Sequence, residues 1–242
     1  MSAKLSEQQI RFFRHAGYIR LPRIIGSAEI SAMRDILEDH TTRSVQPVRR
    51  RADGLVFRLD DVWSRSEIFR AAWTSAPMLD VLVSLLGPNI HMTLNRHNHA
   101  TFNRRGDSIV RLHRDVLQWS RSVVTAVLYL DDSTPQTGCT HLIPGSHLLP
   151  FVGTPNNGGT WMDEHSVYSD MTSQSLPVPM ESGGVLLFDS LVFHTVGENS
   201  TSQSRTSVCM AFHSVDELSR ADDPAKVLIC GTLIYRGNDS LG

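Results

Sequence analysis

Apolar residues recur three or four positions apart in three segments of the first 88 residues, which is the spacing of amphipathic helices. Ser6 is placed to cap the first helix, and Ser27 opens the second. A short extended run separates these two helices. The third helix, over 77–86, ends at the Gly-Pro pair 87–88, a strong helix breaker. We therefore predict a helical support over residues 1–88.

After residue 88 the pattern changes to short β-branched and aromatic runs between turn residues, with no long helix among them. These predicted strands are IHMTL, SIVRLH, VVTAVLYL, GVLLFD, LVFHTV, TSVCMAF and KVLICGTLIY. Strands at this spacing predict an antiparallel sandwich or barrel over residues 89–235. Residues 152–174, rich in Gly, Asn, Thr and Ser, interrupt the pattern, and we expect this long loop to be a lid or binding element.

The length of 242 residues and the ordinary composition predict one globular domain over 1–242. The net charge of −2 argues against a nucleic-acid or membrane partner. The N-terminus lacks the apolar run of a signal peptide, and no stretch is long enough to span a membrane. The three cysteines form no metal-spaced pair and suit reduced thiols. We expect a cytoplasmic protein, a monomer or homodimer, that binds a small molecule.

Candidate metal ligands occur in two of the predicted strands. Side chains two apart in a strand share a face, so His113 and Asp115 of RLHRDV would project together into the barrel. LVFHTV supplies His194 from another strand. Two imidazoles and one carboxylate on one face of an octahedral ion are typical of non-haem Fe(II) oxygenases. The alternative for His113 is a core histidine bonded to a backbone carbonyl.

Arg205 follows His194 after the turn-rich segment GENSTSQS. A hairpin folded near residue 200 would place Arg205 nearly opposite His194, within reach of a metal-bound ligand. An arginine that faces into a barrel needs an anion, and its planar fork suits a carboxylate. Ser207 shares that face and can add a hydroxyl contact. The alternative, a surface arginine, becomes less favoured once the three metal ligands are considered together with Arg205.

These segments resemble the phytanoyl-CoA dioxygenase family from end to end. The opening LSEQQIRFFRHAGYIRLPRII is similar to the family's N-terminal helix and strand, and HRD resembles its HxD metal motif. LYLDDSTPQTGCTHLIPGSH is similar to its strand, turn and Pro-Gly-Ser-His segment. GGVLLFDSLVFHTVGENSTSQSR resembles its distal motif, with arginine eleven residues after histidine. The resemblance implies a double-stranded β-helix, a cupin-like jelly-roll barrel, wrapped by N-terminal helices.

The resemblance also implies a reaction. Fe(II) held by His113, Asp115 and His194 would bind the cosubstrate 2-oxoglutarate, whose distal carboxylate would contact Arg205 and Ser207. With O2, the enzyme would hydroxylate an unactivated C–H bond of a small molecule, in natural-product biosynthesis, and release succinate and CO2. An oxidative cyclase, epimerase or desaturase of the same family is an alternative. The competing class is a non-catalytic cupin-like metal-binding protein, which needs no 2-oxoglutarate clamp.

The segment NRHNHATF contains further polar candidates. We expect Asn98 or Thr101 to assist 2-oxoglutarate binding. His97 and His99 would face one way in a strand, but no third ligand accompanies them. This pair is therefore expected to line the pocket or the surface.

Three residues adjoin the HxD motif in the sequence. Gln118 and Trp119 fall just beyond the ligand strand, where substrate would lie, and plain core is the alternative for Trp119. Arg114 alternates away from His113. We expect it outside the barrel or at its rim.

Overall fold

Helices occupy the N-terminal part of the chain in the computed structural model, which describes residues 4–107, 110–116, 123–149, 161–162, 166–215 and 223–233, with the side chains of 166–169 excepted. Their bounds are α1 Glu7–Ala16, α2 Ser27–Thr42, α3 Val62–Arg65, α4 Glu67–Trp73 and α5 Ala76–Leu86. The predicted cap of α1 is confirmed, because Ser6 and Gln9 form a reciprocal capping box. The predicted stop of α5 is also confirmed, since Gly87 is its C-cap at φ +88°.

The strands follow the runs predicted from period-two patterning, with a few differences. Their bounds are β1 Tyr18–Leu21, β2 Val48–Arg50, β3 Val56–Asp60, β4 Ile90–Thr93, β5 His99–Asn103, β6 Val123–Tyr129, β7 Thr140–Leu142, β8 Leu176–Val178, β9 Val185–Asp189, β10 His194–Val196, β11 Arg205–Ser214 and β12 Lys226–Cys230. Short 3₁₀ helices cover Ser146–Leu148 and Ser166–Gln174.

Within the described residues the strands form a nine-stranded and a three-stranded sheet. The large sheet has the order β1-β9-β6-β11-β5-β3-β2, with β4 added to β11 and β12 to β4. The small sheet has the order β10-β7-β8. The pairings are antiparallel throughout. The predicted fold class, a jelly-roll with N-terminal helices, is confirmed.

The large sheet is covered on both faces, which explains why β6 is buried along its whole length. One row of its side chains, including Val124, Ala126 and Leu128, packs into the core that contains the helices. The alternate row, including Val127 and Tyr129, packs with residues of the small sheet. Alternation along the strand therefore divides the interior into a helix side and a sheet side.

The predicted hairpin between His194 and Arg205 is wrong. His194 begins β10, which pairs with β7 in the small sheet, whereas Arg205 begins β11 in the large sheet. The intervening segment crosses from one sheet to the other, so the two residues lie on different walls of the interior. Both nevertheless line the same cavity.

Two other predicted segments also differ from the structure. SIVRLH is not a regular strand where it is described, and His113 forms only isolated bridges to Trp161 and His194. The predicted loop 152–174 contains the 3₁₀ helix Ser166–Gln174, and much of its remainder lies outside the described residues.

The described α-helices are 4 to 16 residues long. None of them alone is long and apolar enough to cross a membrane. Taken together, α4 and α5 pass on length and composition, although a 47° bend separates them.

Candidate active site

Three potential metal ligands converge between the two sheets. His113 and His194 exchange backbone hydrogen bonds, each N–H donating to the other carbonyl at 2.9 Å. The Nε2 atoms of these histidines lie 3.7 and 3.5 Å from Asp115 Oδ1. One ligand atom from each residue falls within 4.8 Å of the others. The three side chains that the sequence singled out therefore form one compact donor set.

Backbone carbonyls orient both imidazoles. His113 Nδ1 lies 2.8 Å from the Arg111 carbonyl, and His194 Nδ1 lies 3.0 Å from the Val192 carbonyl. Because a carbonyl only accepts, each Nδ1 carries the proton and donates it. The lone pair of each Nε2 is then directed into the site, as metal-binding histidines require.

The Asp115 carboxylate is fixed by contacts to one of its oxygens. Thr125 Oγ1 donates to Oδ2 at 2.7 Å, and His97 Nε2 lies 3.1 Å from the same oxygen. The Asp115 backbone N–H donates to the Ser190 carbonyl at 2.9 Å. Within the described residues, Oδ1 is left facing the two histidines. This arrangement presents a single carboxylate oxygen beside the two Nε2 atoms.

Protonation states at the site suit metal binding. Burial and the neighbouring His194 lower the pKa of His113 to about 4. Burial would raise the pKa of Asp115, but His97 and His194 hold it below its usual range. At neutral pH the site therefore offers a neutral imidazole and an ionised carboxylate, the forms that bind metals.

A cavity of about 560 Å³ opens beside these ligands, within the range of small-molecule sites. The large sheet contributes polar groups to its wall, among them Thr101, Arg205 and Ser207. Phe57, Phe102, Val110, Val127, Phe188 and Val196 supply apolar surface. Of the two positions left open for His97 and His99, the pocket or the surface, the structure has the pocket, because both line this cavity. The cavity can therefore hold polar and apolar groups next to the metal ligands.

Arg205 is a buried cation of this wall, with only 2% of its surface exposed. Its Nη1 lies 3.3 Å from Ser207 Oγ, and its Cζ lies 5.8 Å from the Tyr129 ring centre. No carboxylate of the described residues forms an ion pair with it, and its buried Nε has no hydrogen-bond partner among them.

Two other groups near Arg205 could become negative on losing a proton, the phenol of Tyr129 and the thiol of Cys209, but neither supplies a counter-charge. Burial raises the pKa of Tyr129 to about 12 and that of Cys209 to about 12. Both groups are therefore neutral at physiological pH. Since an uncompensated buried charge is costly, the geometry fits an anion that enters the cavity and meets the guanidinium.

Asn98 has a different position from the one predicted. Its Oδ1 accepts from the Trp63 backbone N–H at 2.9 Å, and its Nδ2 donates to Asp61 Oδ1 at 3.0 Å. It is not among the residues that line the cavity. The alternative residue, Thr101, does line it and lies 3.1 Å from Ser207 Oγ. The structure thus places Thr101, and not Asn98, in the cavity wall next to Ser207.

The predicted exposure of Arg114 is wrong. Its side chain alternates away from His113, but it is 1% exposed and donates to the carbonyls of Ser146 (2.7 Å) and Leu149 (3.2 Å). Its Cζ lies 4.4 Å from the Phe193 ring centre. The 3₁₀ segment around Ser146 fills the space that the prediction assigned to solvent. The predicted substrate residues Gln118 and Trp119 lie outside the described residues.

Thr125 and Trp161 are site residues that sequence reasoning missed. The only sequence signal for Thr125 is a hydroxyl in the otherwise apolar run VVTAVLYL. The Trp161 ring centre lies 5.2 Å from that of His113. Trp161 falls within a segment read as loop, so no periodicity pointed to this contact.

Comparison with known proteins identifies relatives over most of the chain. The model of the family described as phytanoyl-CoA dioxygenase (PhyH) matches residues 13–207. A methylphosphonate hydroxylase of Gimesia maris is 24% identical, with 90% of this chain and 84% of that protein covered. The non-haem α-ketoglutarate-dependent carbocyclase SnoK from nogalamycin biosynthesis has a similar structure, with a TM-score of 0.71 and 19% identity over 93% of this chain and 91% of that one. EctD from S. alaskensis with bound Fe gives a TM-score of 0.72 and 20% identity over 91% and 80% of the two chains.

Proposed function

This chain belongs to the phytanoyl-CoA dioxygenase family, and from that premise we propose that it is an Fe(II)- and 2-oxoglutarate-dependent oxygenase of a small molecule. The reaction would hydroxylate or otherwise oxidise an unactivated C–H bond. The observation that carries the proposal is a buried arginine that forms no ion pair with any described residue, in the same cavity as the His113, Asp115 and His194 donor set.

The donor set fits Fe(II) on the observations of this structure. Two imidazoles direct Nε2 lone pairs inward, and Asp115 presents Oδ1 between them. Two histidines and one carboxylate are the ligands of non-haem iron oxygenases, and they leave coordination positions open. His113, Asp115 and His194 would therefore hold the ion. Bound Fe(II) with 2-oxoglutarate supplies the activation of O2, with succinate and CO2 as co-products.

The cosubstrate has two carboxylates, and the cavity offers a cation for one of them. Arg205 would bind the distal carboxylate through its planar fork. Ser207 Oγ and Thr101 Oγ1, which lie 3.1 Å apart, would add hydroxyl contacts on the same wall. Burial of these groups increases the strength of each polar contact, because water does not compete for the same atoms.

The apolar part of the cavity would receive the substrate and exclude water from the reacting centre. Phe57, Phe102 and Phe188 supply much of this surface. An oxidative cyclase, epimerase or desaturase would use the same residues, because these reactions differ in the fate of the oxidised substrate. A non-catalytic metal-binding protein would have no use for the buried Arg205. We propose natural-product biosynthesis as the setting, and the similarity to SnoK supports it.

We further propose that residues 1–242 form one catalytic domain, with its helical support over 1–88 and its jelly-roll core over 89–235. Residues from both sheets line one cavity, which supports this organisation. Cys139, Cys209 and Cys230 are free. Free thiols support the proposed cytoplasmic location, since the cytosol keeps cysteines reduced.

The test is succinate release coupled to substrate oxidation. The protein is reconstituted anaerobically with Fe(II), mixed with 2-oxoglutarate and single candidate substrates, and exposed to O2. Wild type should release succinate together with an oxidised substrate identified by mass spectrometry. His113→Ala, Asp115→Ala and His194→Ala should lose turnover, whereas His141→Ala, a histidine of β7 that does not line the cavity, should retain it. Wild-type turnover in all three ligand variants would rule out this site.

A further inference from the structure

Three consecutive residues in the turn between β4 and β5 connect the Asp115 region to the helical layer. Arg96 Nη1 donates to the Asp115 carbonyl at 2.6 Å, and His97 Nε2 lies 3.1 Å from Asp115 Oδ2. Asn98 anchors the other side of the turn through its side-chain bonds to Trp63 and Asp61. The turn therefore contacts both the backbone and the carboxylate of a proposed metal ligand.

His97 has an unusual backbone conformation. Its φ is +66°, in the left-handed region that residues with a Cβ rarely occupy. The neighbouring Asn98 helps to hold it there, because the Asn98 carbonyl accepts from the Val62 N–H at 3.3 Å. Such a conformation persists only where surrounding contacts enforce it. Here its consequence is that the imidazole enters the cavity and reaches Asp115.

Among the described residues, Asp115 is the only one in polar contact with the imidazole of His97. Its side chain is 18% exposed, and its buried Nε2 makes no hydrogen bond of regular geometry with the described residues. The Asp115 contact has the distance but not the direction of a hydrogen bond. His97 also lies outside the group of three residues whose ligand atoms could share one metal. It is therefore placed to act on Asp115 and not to bind the ion itself.

We infer that His97 is a positioning residue that holds Asp115 Oδ2, so that only Oδ1 is presented to the metal. This inference rests on the proposed function. Thr125 engages Oδ2 from β6 while His97 approaches it from the opposite turn. A carboxylate held in this way binds through one oxygen. Metal coordination by both oxygens would occupy a position that 2-oxoglutarate or O2 needs, because the donor set must leave three of six positions open.

The experiment replaces His97 without disturbing the backbone. His97→Gly removes the imidazole and accepts positive φ without strain. His97→Asn tolerates the left-handed region and keeps a shorter side chain with an N–H donor. His141→Asn serves as the matched histidine control, since it lies in β7 and does not line the cavity. Thermal unfolding of each metal-free protein establishes that it is folded, and His97→Asn carries the test if the glycine variant is not.

Calorimetry with Co(II) measures metal affinity without turnover, and the visible spectrum of the Co(II) protein reports its coordination. We expect His97→Gly to bind Co(II) about 10–100-fold more weakly, the range for loss of a group that orients a metal ligand. Its Co(II) spectrum should change, and 2-oxoglutarate should bind more weakly to the Co(II) protein. The Co(II) affinity of His97→Asn should lie between those of His97→Gly and wild type, and His141→Asn should match wild type.

Wild-type Co(II) affinity, spectrum and 2-oxoglutarate affinity in His97→Gly would overturn the inference. If only His97→Asn is folded, wild-type values of all three quantities in that variant would also overturn the inference. His113→Ala separates this inference from the proposed function. If His113→Ala abolishes Co(II) binding while His97→Gly has no effect, only the role of His97 fails. If His113→Ala also binds Co(II) normally, the proposed metal site itself is wrong.

Discussion

Thr125 Oγ1 donates a 2.7 Å hydrogen bond to Asp115 Oδ2 and lies 2.8 Å from Ser190 Oγ. Thr125 is 1% exposed in β6, which pairs with β9 on one side and β11 on the other. The carboxylate is thus attached to a central strand of the large sheet, although Asp115 itself lies in a segment with little regular structure. A central strand offers a rigid point of attachment for a metal ligand.

Thr125→Val should weaken metal binding while preserving the fold. Valine has nearly the same shape and the same β-branching, but it removes the hydroxyl that donates to Asp115. We expect Co(II) affinity to fall about 10–100-fold by calorimetry, as for other groups that orient metal ligands. Thr125→Ser retains the hydroxyl and should stay close to wild type. Equal affinity in the valine variant and wild type would show that this hydrogen bond does not orient the ligand.

Arg205→Lys should weaken 2-oxoglutarate binding to the metal-loaded protein. Lysine keeps the charge but does not reproduce the planar fork. Loss of one charge-assisted hydrogen bond costs about 1.5–3 kcal/mol, equivalent to about 10–150-fold in the dissociation constant. Calorimetric titration of the Co(II) protein with 2-oxoglutarate measures the effect. Arg11→Lys, at a side chain that is 82% exposed, is the control. Unchanged affinity in Arg205→Lys would remove this residue from the cosubstrate site.

The sequence singled out the three residues of the proposed metal site because two kinds of local information were sufficient. Spacing by two placed His113 and Asp115 on one side, and the predicted strand LVFHTV supplied His194, which the resemblance in register supported. Neither depends on which strands pair. The side chains of His113, Asp115 and His194 lie close together, although His113 forms isolated bridges and does not lie in a regular strand.

The hairpin prediction failed because strand patterns do not specify sheet membership. A turn-rich segment between two apolar runs fits a hairpin, but it also fits a crossing between two facing sheets. In this chain β10 and β11 belong to different sheets. His194 and Arg205 nevertheless line the same cavity, so their functional relation through one bound molecule stays a prediction.

The misplacement of Arg114 and Asn98 has another physical cause. Both are buried polar groups satisfied by distant parts of the chain: Arg114 by the carbonyls of Ser146 and Leu149, and Asn98 by Trp63 and Asp61. For Arg114, polarity in the sequence favours exposure, because burial without partners is costly. For Asn98, the undetermined loop length left open which residue faces the cavity. When tertiary partners exist, that cost is offset, and local pattern contains no record of them.

Arg114→Met should destabilise the protein. The substitution retains an apolar side chain over Phe193 but leaves the Ser146 and Leu149 carbonyls without this donor. The Ser146 carbonyl still accepts from the Leu149 N–H at 3.2 Å, so the cost arises mainly at the Leu149 carbonyl. An acceptor left without a partner costs about 1–3 kcal/mol. We expect a loss of that order in the free energy of unfolding, measured by urea denaturation of the metal-free protein. Arg11→Met, at an exposed position, should change it little. Equal stability of Arg114→Met and wild type would contradict the structural role.

The stability of the metal-free protein should fall as pH decreases from about 6.5, and His99 should contribute to the fall. Burial, followed by the positive charge of Arg58, lowers the pKa of His99 to about 3 in the folded state, from its ordinary value of 6.5. Between these values the unfolded chain binds a proton at this residue that the folded protein does not. Stability then rises with pH, by at most about 1.36 kcal/mol per pH unit for one proton.

His113, whose pKa is about 4, acts in the same direction, so the contribution of His99 has to be isolated by substitution. Urea denaturation of wild type and His99→Gln at several pH values between 7.5 and 4.5 gives the free energy of unfolding at each pH. Glutamine does not titrate, so the slope of this free energy against pH should be smaller in His99→Gln by up to one proton. His15→Gln, at an exposed position, should keep the wild-type slope. If His99→Gln has the wild-type slope, His99 takes up its proton in the folded state as readily as in the unfolded chain, and the neutral state of His99 deduced from its burial is incorrect.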